Sequence, residues 1–392
     1  MKSTVKTFFV VAFLLPLGAV LSAKEPDAFF YMNPKANSQT AFVQKMTRLP
    51  EWESFRTLFC DSVDKAAHSG LTDRKQLENH LSPKIAEQVV AKVGSHGFSI
   101  REVVDKVTEH LEAVVVMAEE TDSRGFVGAV ALIGSVDPSQ GLVWLPTIEG
   151  ISEGKDYKFL KKESNGDFIL QTTRRVMDRD VSICCAGLKL PGNYRFALIF
   201  SNDDGIQKYF DAFKKGQTGE EYAKGYANKL VVNDRCFRAL EKIGKEKDWP
   251  RRVMDACGRI NGAEIAFRDL NGTTQVEVKL SLKQEDDAKA VRDLVLGTGM
   301  FVQIAANAKE ETSAETKELA RQAANFLQTI KAEANGKDVI VTLKLDGDDF
   351  WNIISNGLKK ANNELKQTKD ISSLRNTDWQ GLFQRHIMSI IQ

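Results

Sequence analysis

Apolar residues occur in three patterns along this chain: one unbroken run, then helical spacing, then alternation. The unbroken run spans Phe8 to Leu21, behind the basic Lys2 and Lys6 and ahead of the small residues Ala19, Ser22 and Ala23. Charge, apolar core and small-residue exit in that order read as a secretory signal. The run contains Pro16 and falls short of the ~20 residues that span a bilayer comfortably. Cleavage after Ser22 or Ala23 is expected, with an uncleaved anchor as the alternative. No cysteine stands at the cut, so lipid anchoring is not expected, and no second run is long enough for a membrane helix.

Residues 24–217 form a first module. A strand is expected within Asp27–Asn33, carrying Phe29, Phe30, Tyr31 and Met32, and Asn33-Pro34 breaks it. Helical spacing follows through Phe42, Met46, Trp52, Phe55, Leu58 and Phe59, with shorter helices at Asp73–His80, Pro83–Val93 and Ser99–His110. The period then becomes extended. Val114–Met117 and Phe126–Ile133 flank the turn Asp122–Gly125, and extended segments recur at Leu142–Leu145, Phe168–Thr172, Val181–Leu188 and Tyr194–Phe200. An amphipathic helix at Gly205–Lys215 closes the module. The polar, glycine-bearing Gly216–Gly219 marks the boundary.

Residues 218–365 form the second module. A helix pair is expected at Asn228–Ile243 and Pro250–Ile260, with proline favoured in a first helical turn. Strands follow at Glu264–Leu270 and Thr274–Leu282 about the turn Asn271-Gly272. In the later strand Val276, Val278, Leu280 and Leu282 share one side, with Gln275, Glu277, Lys279 and Ser281 on the other. That alternation implies one buried face and one wet face, as in antiparallel sheets. Helices at Glu285–Leu296 and Ser313–Ala332, an alternating strand at Val339–Leu345 and a helix from Asp349 complete the module. Residues 366–392 form a tail with an amphipathic helix over Asp378–Ile391.

The expected fold class is α+β: two modules, each with helices packed on one face of a mainly antiparallel sheet. Ile199–Lys215 lies over Lys344–Lys360 without a gap, and Val114–Ile133 lies over Glu264–Leu282. A diverged internal duplication is one explanation. Convergent helix capping by Asp and Ser is the other.

Composition narrows the function classes. Loss of the signal takes Lys2 and Lys6, moving the net charge from +1 to about −1. The charges are interspersed in sign, so no nucleic-acid face and no polybasic lipid cluster is expected. About 370 mature residues with nine prolines and no low-complexity stretch suit folded modules.

Several short motifs invite chemistry. Gly150-Ile151-Ser152-Glu153-Gly154 matches the nucleophile elbow, which needs a strand entering and a helix leaving a tight turn, and His386 follows in the hydrolase order. The segment after it is a poor helix and the βα alternation is missing, so a polar loop is the preferred reading. Ser62-Val63-Asp64-Lys65 matches S-x-x-K but lacks the companion motifs of penicillin-recognising enzymes. His68, His80, His96 and His110 are separated by eleven or more residues and fall near helix ends, where capping explains them better than zinc. Asp346–Asp349 and Asn202–Asp204 read as helix caps rather than calcium loops. Gly297-Thr298-Gly299 reads as a helix end.

Five cysteines complete the inventory. Cys236 and Cys257 stand symmetrically about a helix–helix turn on apolar stripes, so a disulfide between them is feasible in an oxidising compartment if their α-carbons approach within about 7 Å; buried free thiols are the alternative. Cys184 and Cys185, adjacent on a strand, should point to opposite faces.

The resulting expectation is an exported protein, periplasmic or extracellular, that binds or scaffolds without catalysis and without a cofactor. Its partner would be a protein or an envelope ligand rather than nucleic acid, with no integral membrane segment after signal cleavage. The alternative is a secreted hydrolase with dispersed catalytic residues, Ser152 and His386 among them.

Overall fold

The computed structural model describes residues 27–78, 83–96, 99–102, 109–121, 125–135, 157–176, 179–191, 194–223, 226–246, 255, 258–308 and 314–367. Strand β1 (Ala28–Met32) precedes helices α1 (Pro34–Gln39), α2 (Ala41–Met46), α3 (Pro50–Thr72), α4 (Arg74–Glu78) and α5 (Pro83–His96). Strands β2 (Leu111–Thr121), β3 (Gly125–Ser135), β4 (Tyr157–Lys162), β5 (Phe168–Val176), β6 (Arg179–Lys189) and β7 (Arg195–Ser201) follow, then α6 (Asp203–Lys214). After a 3-10 turn at Glu220–Ala223 come β8 (Asn228–Asn233), α7 (Asp234–Glu246), β9 (Ile260–Leu270) and β10 (Thr273–Leu282). Helices α8 (Glu285–Ala308) and α9 (Ala314–Leu327), strands β11 (Lys331–Asn335) and β12 (Asp338–Lys344), and α10 (Asp348–Gln367) end the described chain.

The fold is α+β, and the described strands of both halves of the chain form one twelve-stranded sheet in the order β11-β12-β10-β9-β8-β1-β2-β3-β7-β6-β5-β4. Every neighbouring pair is antiparallel. Strand β1 joins the halves by pairing with β2 on one side and β8 on the other. Buried Asp27 reinforces the seam: its backbone oxygen accepts from the Asn233 N–H at 2.7 Å and its carboxylate from the Asn233 amide at 2.7 Å.

Pleating gives the sheet two faces, and directly paired residues share one. Face A carries Phe29, Tyr31, Val115, Met117, Ala131, Ile133, Ala197 and Ile199, and α6 covers it with Ile206, Tyr209, Phe210 and Phe213. Their spacing puts these four on one helical stripe. Asn202 caps that helix, its side-chain oxygen accepting from the Gly205 N–H at 3.1 Å. In the second half face A is wet, as the alternation of β10 predicts. Lys229–Glu264, Lys279–Asp338 and Arg268–Glu277 pair across it at 3.0, 2.8 and 3.5 Å.

Face B of the second half carries α8, whose Ala288 and Val291 pack with Leu280, Leu282, Val339 and Val341. An aromatic cluster of Trp52, Phe55, Phe350 and Trp351, with Phe42 and Phe326 against it, binds α3, α9 and α10. The Phe326 and Phe350 ring centroids are 4.8 Å apart.

Five strands of each half repeat one order from outside inward: β6-β7-β3-β2-β1 and β11-β12-β10-β9-β8. Helices α6 and α10 also begin at positions that coincide in the ungapped overlay, Asp203 and Asp348. The layers do not repeat, because α6 lies directly on strands while α10 lies on α3 and α9.

Four expectations from the sequence are corrected. The helix expected at Asn228–Ile243 starts only at Asp234, because β8 pairs with β1 and β9 and Asn233 then caps the helix, accepting from the Arg235 and Cys236 N–H groups. Tyr157–Lys162, where no strand was expected, is a strand paired to β5. Helix α8 continues through Gly297–Gly299 to Ala308 rather than ending there. The helix expected to run to Ala332 stops at Leu327, and Lys331–Asn335 turns back at Gly336, whose φ is +59°, to pair with β12.

Candidate functional site

Several sequence-derived sites lie outside the described residues: Ser152, His386, His80 and Cys257, together with the 1–23 signal and the 366–392 tail except for Lys366 and Gln367 at the end of α10. Cys236 sits half-buried in the first turn of α7. Ser62 lies on α3, where the neighbouring Asp64 carboxylate accepts from the Ile100 N–H and so ties the helix to the next segment. His96 ends α5 and His110 precedes β2, the positions expected for capping histidines. Asp346 accepts from Lys45 Nζ at 2.9 Å and Trp351 Nε1 at 3.2 Å, and Asp349 accepts from the Asn325 amide at 3.0 Å. Those carboxylates are engaged by donors. Among the described residues no group of three or more His, Cys, Asp or Glu side chains could hold a metal ion.

Two charged clusters were not anticipated. A register shift in β2 between Leu111 and Ala113 makes Glu112 an extra residue in the pairing with β3. Such a bulge re-aims a side chain. Here it lets Glu112 accept from Arg195 Nε at 2.9 Å, while Arg195 Nη2 reaches both Glu220 oxygens at 3.0 and 2.8 Å. Thr218 Oγ1 donates to the same carboxylate at 2.8 Å. Burial raises the nearby Tyr31 hydroxyl above its ordinary pKa. With both glutamates held by one guanidinium, the cluster fastens the 216–223 crossing to the sheet and offers no free base. In the other cluster, Lys208 of α6 donates to buried Glu119 at 3.0 and 3.1 Å, and burial lowers the lysine's pKa.

Cys184 and Cys185 point to opposite faces, as adjacent strand residues must. Cys184 is fully buried on face A, while Cys185 is half-buried on face B with its thiol pushed up to about 12 by burial. A thiol so hard to ionise is a poor nucleophile.

The feature that stands out is on face B. Cross-strand pairing aligns Phe159, Leu170, Cys185, Phe200, Val130, Val116 and Phe30 in one row through the first half. The row continues through Leu230, Ile265, Val278, Val341 and Ala332 to the far edge. Every member is apolar. In the second half α8 packs against Val341 of the row. In the first half Leu170 is buried and Phe159, Cys185, Val130, Val116 and Phe30 are half-buried, while Phe200 is 38% exposed and Ile183, two residues before Cys185 on the same face, 37% exposed. Single exposed apolar side chains need no explanation, whereas large contiguous apolar patches mark interaction surfaces. Ile183 and Phe200 are diagonal neighbours on adjacent strands, so they form one patch.

No family model matches the chain, and no curated protein matches it. Among solved structures it is similar to three crystal forms of TP0453. Form III has 10% identity and a TM-score of 0.34 over 86% of this chain and 96% of that one. Form IV has 9% identity and a TM-score of 0.36, and form I has 10% and 0.32, each covering 84% of this chain and 93% of the other. The chain is thus similar to TP0453 along most of its length, but too loosely for that likeness to assign it a family or an activity.

Proposed function

We propose that this chain is an exported, non-catalytic binding or scaffolding protein of the cell envelope, and that it binds through face B of its first half. The observation carrying this reading is the apolar row that leaves Ile183 and Phe200 open to solvent. Export rests on the sequence, from Lys2 and Lys6 through the Phe8–Leu21 run to Ala23. Among the described residues no helix is long and apolar enough to cross a membrane. The side chains on offer are apolar, which suits a protein surface or the apolar part of an envelope ligand.

The test is a fluorescence titration of the mature chain with 1-anilinonaphthalene-8-sulfonate. The Ile183→Asp/Phe200→Asp variant should bind the probe at least about tenfold more weakly, since two apolar contacts are replaced by charges. Circular dichroism should remain that of the wild type. A folded double variant that binds the probe as tightly as the wild type overturns the reading.

The compartment makes a second prediction. The structure bonds Cys236 to no described cysteine, and the prediction is that the exported protein joins it to Cys257 in a disulfide. Peptides containing them should run as one linked species before reduction and separate after it. Complete alkylation of both thiols without reductant contradicts the bridge.

A further inference from the structure

The sheet ends in two strands with very different edges. At one end β4 reads Tyr-Lys-Phe-Leu-Lys-Lys, three lysines without an acid, and a register shift between Phe159 and Lys161 breaks its pairing with β5. Lysines and bulges are the usual protection of a strand edge against further pairing. Two copies of β4 centred on Leu160 would also set Lys158 against Lys162. That edge is closed.

The other edge, β11, has no bulge and only one lysine, which Glu333 offsets. Its pairing with β12 is regular from Lys331 to Asn335, and its charges are of both signs. Ile330, Lys331, Ala332, Glu333 and Ala334 read apolar, basic, apolar, acidic, apolar. Placed antiparallel to itself about Ala332, this segment sets Lys331 of each copy opposite Glu333 of the other on face A. On face B, Ile330 meets Ala334 and Ala332 meets its own counterpart. A shift of one residue to centre on Glu333 would oppose the two glutamates. The pattern therefore specifies both a two-fold and its register. Helix α8 packs against β11 and exposes Leu294, Leu296 and Met300, and no charged residue occurs from Leu294 to Ala308. The same two-fold brings the α8 helices of two copies toward each other on face B.

We infer that this protein pairs with a second copy of itself through β11, forming an isologous dimer with a continuous sheet. The surface is independent of the Ile183–Phe200 patch, at the opposite end of the molecule.

The test is sedimentation of the mature chain over a range of concentrations. The wild type should show a monomer–dimer equilibrium. Lys331→Glu or Glu333→Lys alone places like charges at both symmetric pairs and should weaken dimerisation at least about tenfold. The double reversal Lys331→Glu/Glu333→Lys should restore it to within about twofold of the wild type. Thermal melts report whether each variant folds. As a second arm, Ala332→Cys should form an intermolecular disulfide under mild oxidation, because its two copies face each other within bridging distance. Asn335→Cys should not. A wild type that stays monomeric to about 100 μM, well above typical dimer affinities, overturns the inference, as do single reversals without effect or a double reversal that fails to rescue.

Discussion

Replacing Phe210 with alanine is expected to destabilise the protein by about 3–5 kcal/mol. Phe210 is fully buried on α6, between Tyr209 and Phe213, against a sheet face lined by Ile199, Ala186 and Ile133. Small residues such as Ala131, Ala186 and Ala197 give the sheet a smooth floor, so the ring supplies much of the volume between layers. Deleting it loses the transfer free energy of a large apolar group and leaves a cavity that a rigid sheet cannot collapse. Lys161 and Lys214 place their ammonium groups 4.5 and 5.6 Å from the ring centroid, contacts that alanine also forfeits. Guanidinium unfolding should show a lowered midpoint with an unchanged slope. Phe200→Ala, on face B and 38% exposed, serves as the comparison and should cost no more than about 1 kcal/mol. Equal losses at the two positions would mean that the faces are not as different as described.

Gly187→Ala is expected to cost about 3 kcal/mol, the upper end of the usual overpacking range. Gly187 pairs with Phe168 across β5 and β6, and the phenyl ring lies over its backbone. A Cβ built there would stand 2.2 Å from Cε1 and 2.6 Å from Cζ of that ring. Phe168 is itself 3% exposed and meets Phe159 edge-on at 6.4 Å, so it has little room to turn. Glycine is needed here for a close approach rather than for an unusual backbone angle. The Phe168→Ala/Gly187→Ala double variant should be more stable than the sum of the single losses implies, because the ring is what the new methyl meets. Strict additivity would contradict this account of the glycine.

Much of the architecture was legible where local signals agree. Alternation in β10, the Asn271-Gly272 turn and the stripe of α6 each fix an element without tertiary help. Local signals fail where pairing partners lie far away in the chain. Asn228–Asn233 reads as the start of a helix until β1, some two hundred residues earlier, claims it as a strand. The same pairing joins both halves of the chain into one sheet, where the sequence suggested two modules with a sheet each, and no local pattern can announce that. Strand β11 carried its own signal in Asn335-Gly336, hidden because the preceding helical spacing runs smoothly into Lys331. Helix α8 outlasts its glycines because α9 packs along it, offsetting a weak propensity.

The binding face was less legible still. Each strand contributes one residue at a given height to the row from Phe159 to Ala332, and only the register places Phe200 beside Cys185 and Val130. The sequence shows the alternation of each strand but not which side is left open. Motif-based sites fared differently: engaged donors explain Asp346 and Asp349, and a guanidinium shared by Glu112 and Glu220 was hidden in a bulge that leaves no mark in composition.

The central claim is that face B of the first half is a binding surface in the exported protein. The most direct measurement installs the photoreactive residue p-benzoylphenylalanine at Ile183, and separately at Lys279 on the wet face, in the full chain expressed in its own cell. Irradiation should yield a discrete crosslinked species from position 183 that disappears when Phe200→Asp is added, and none from position 279. Identical products from both positions, or crosslinking at 183 that ignores Phe200→Asp, would contradict it.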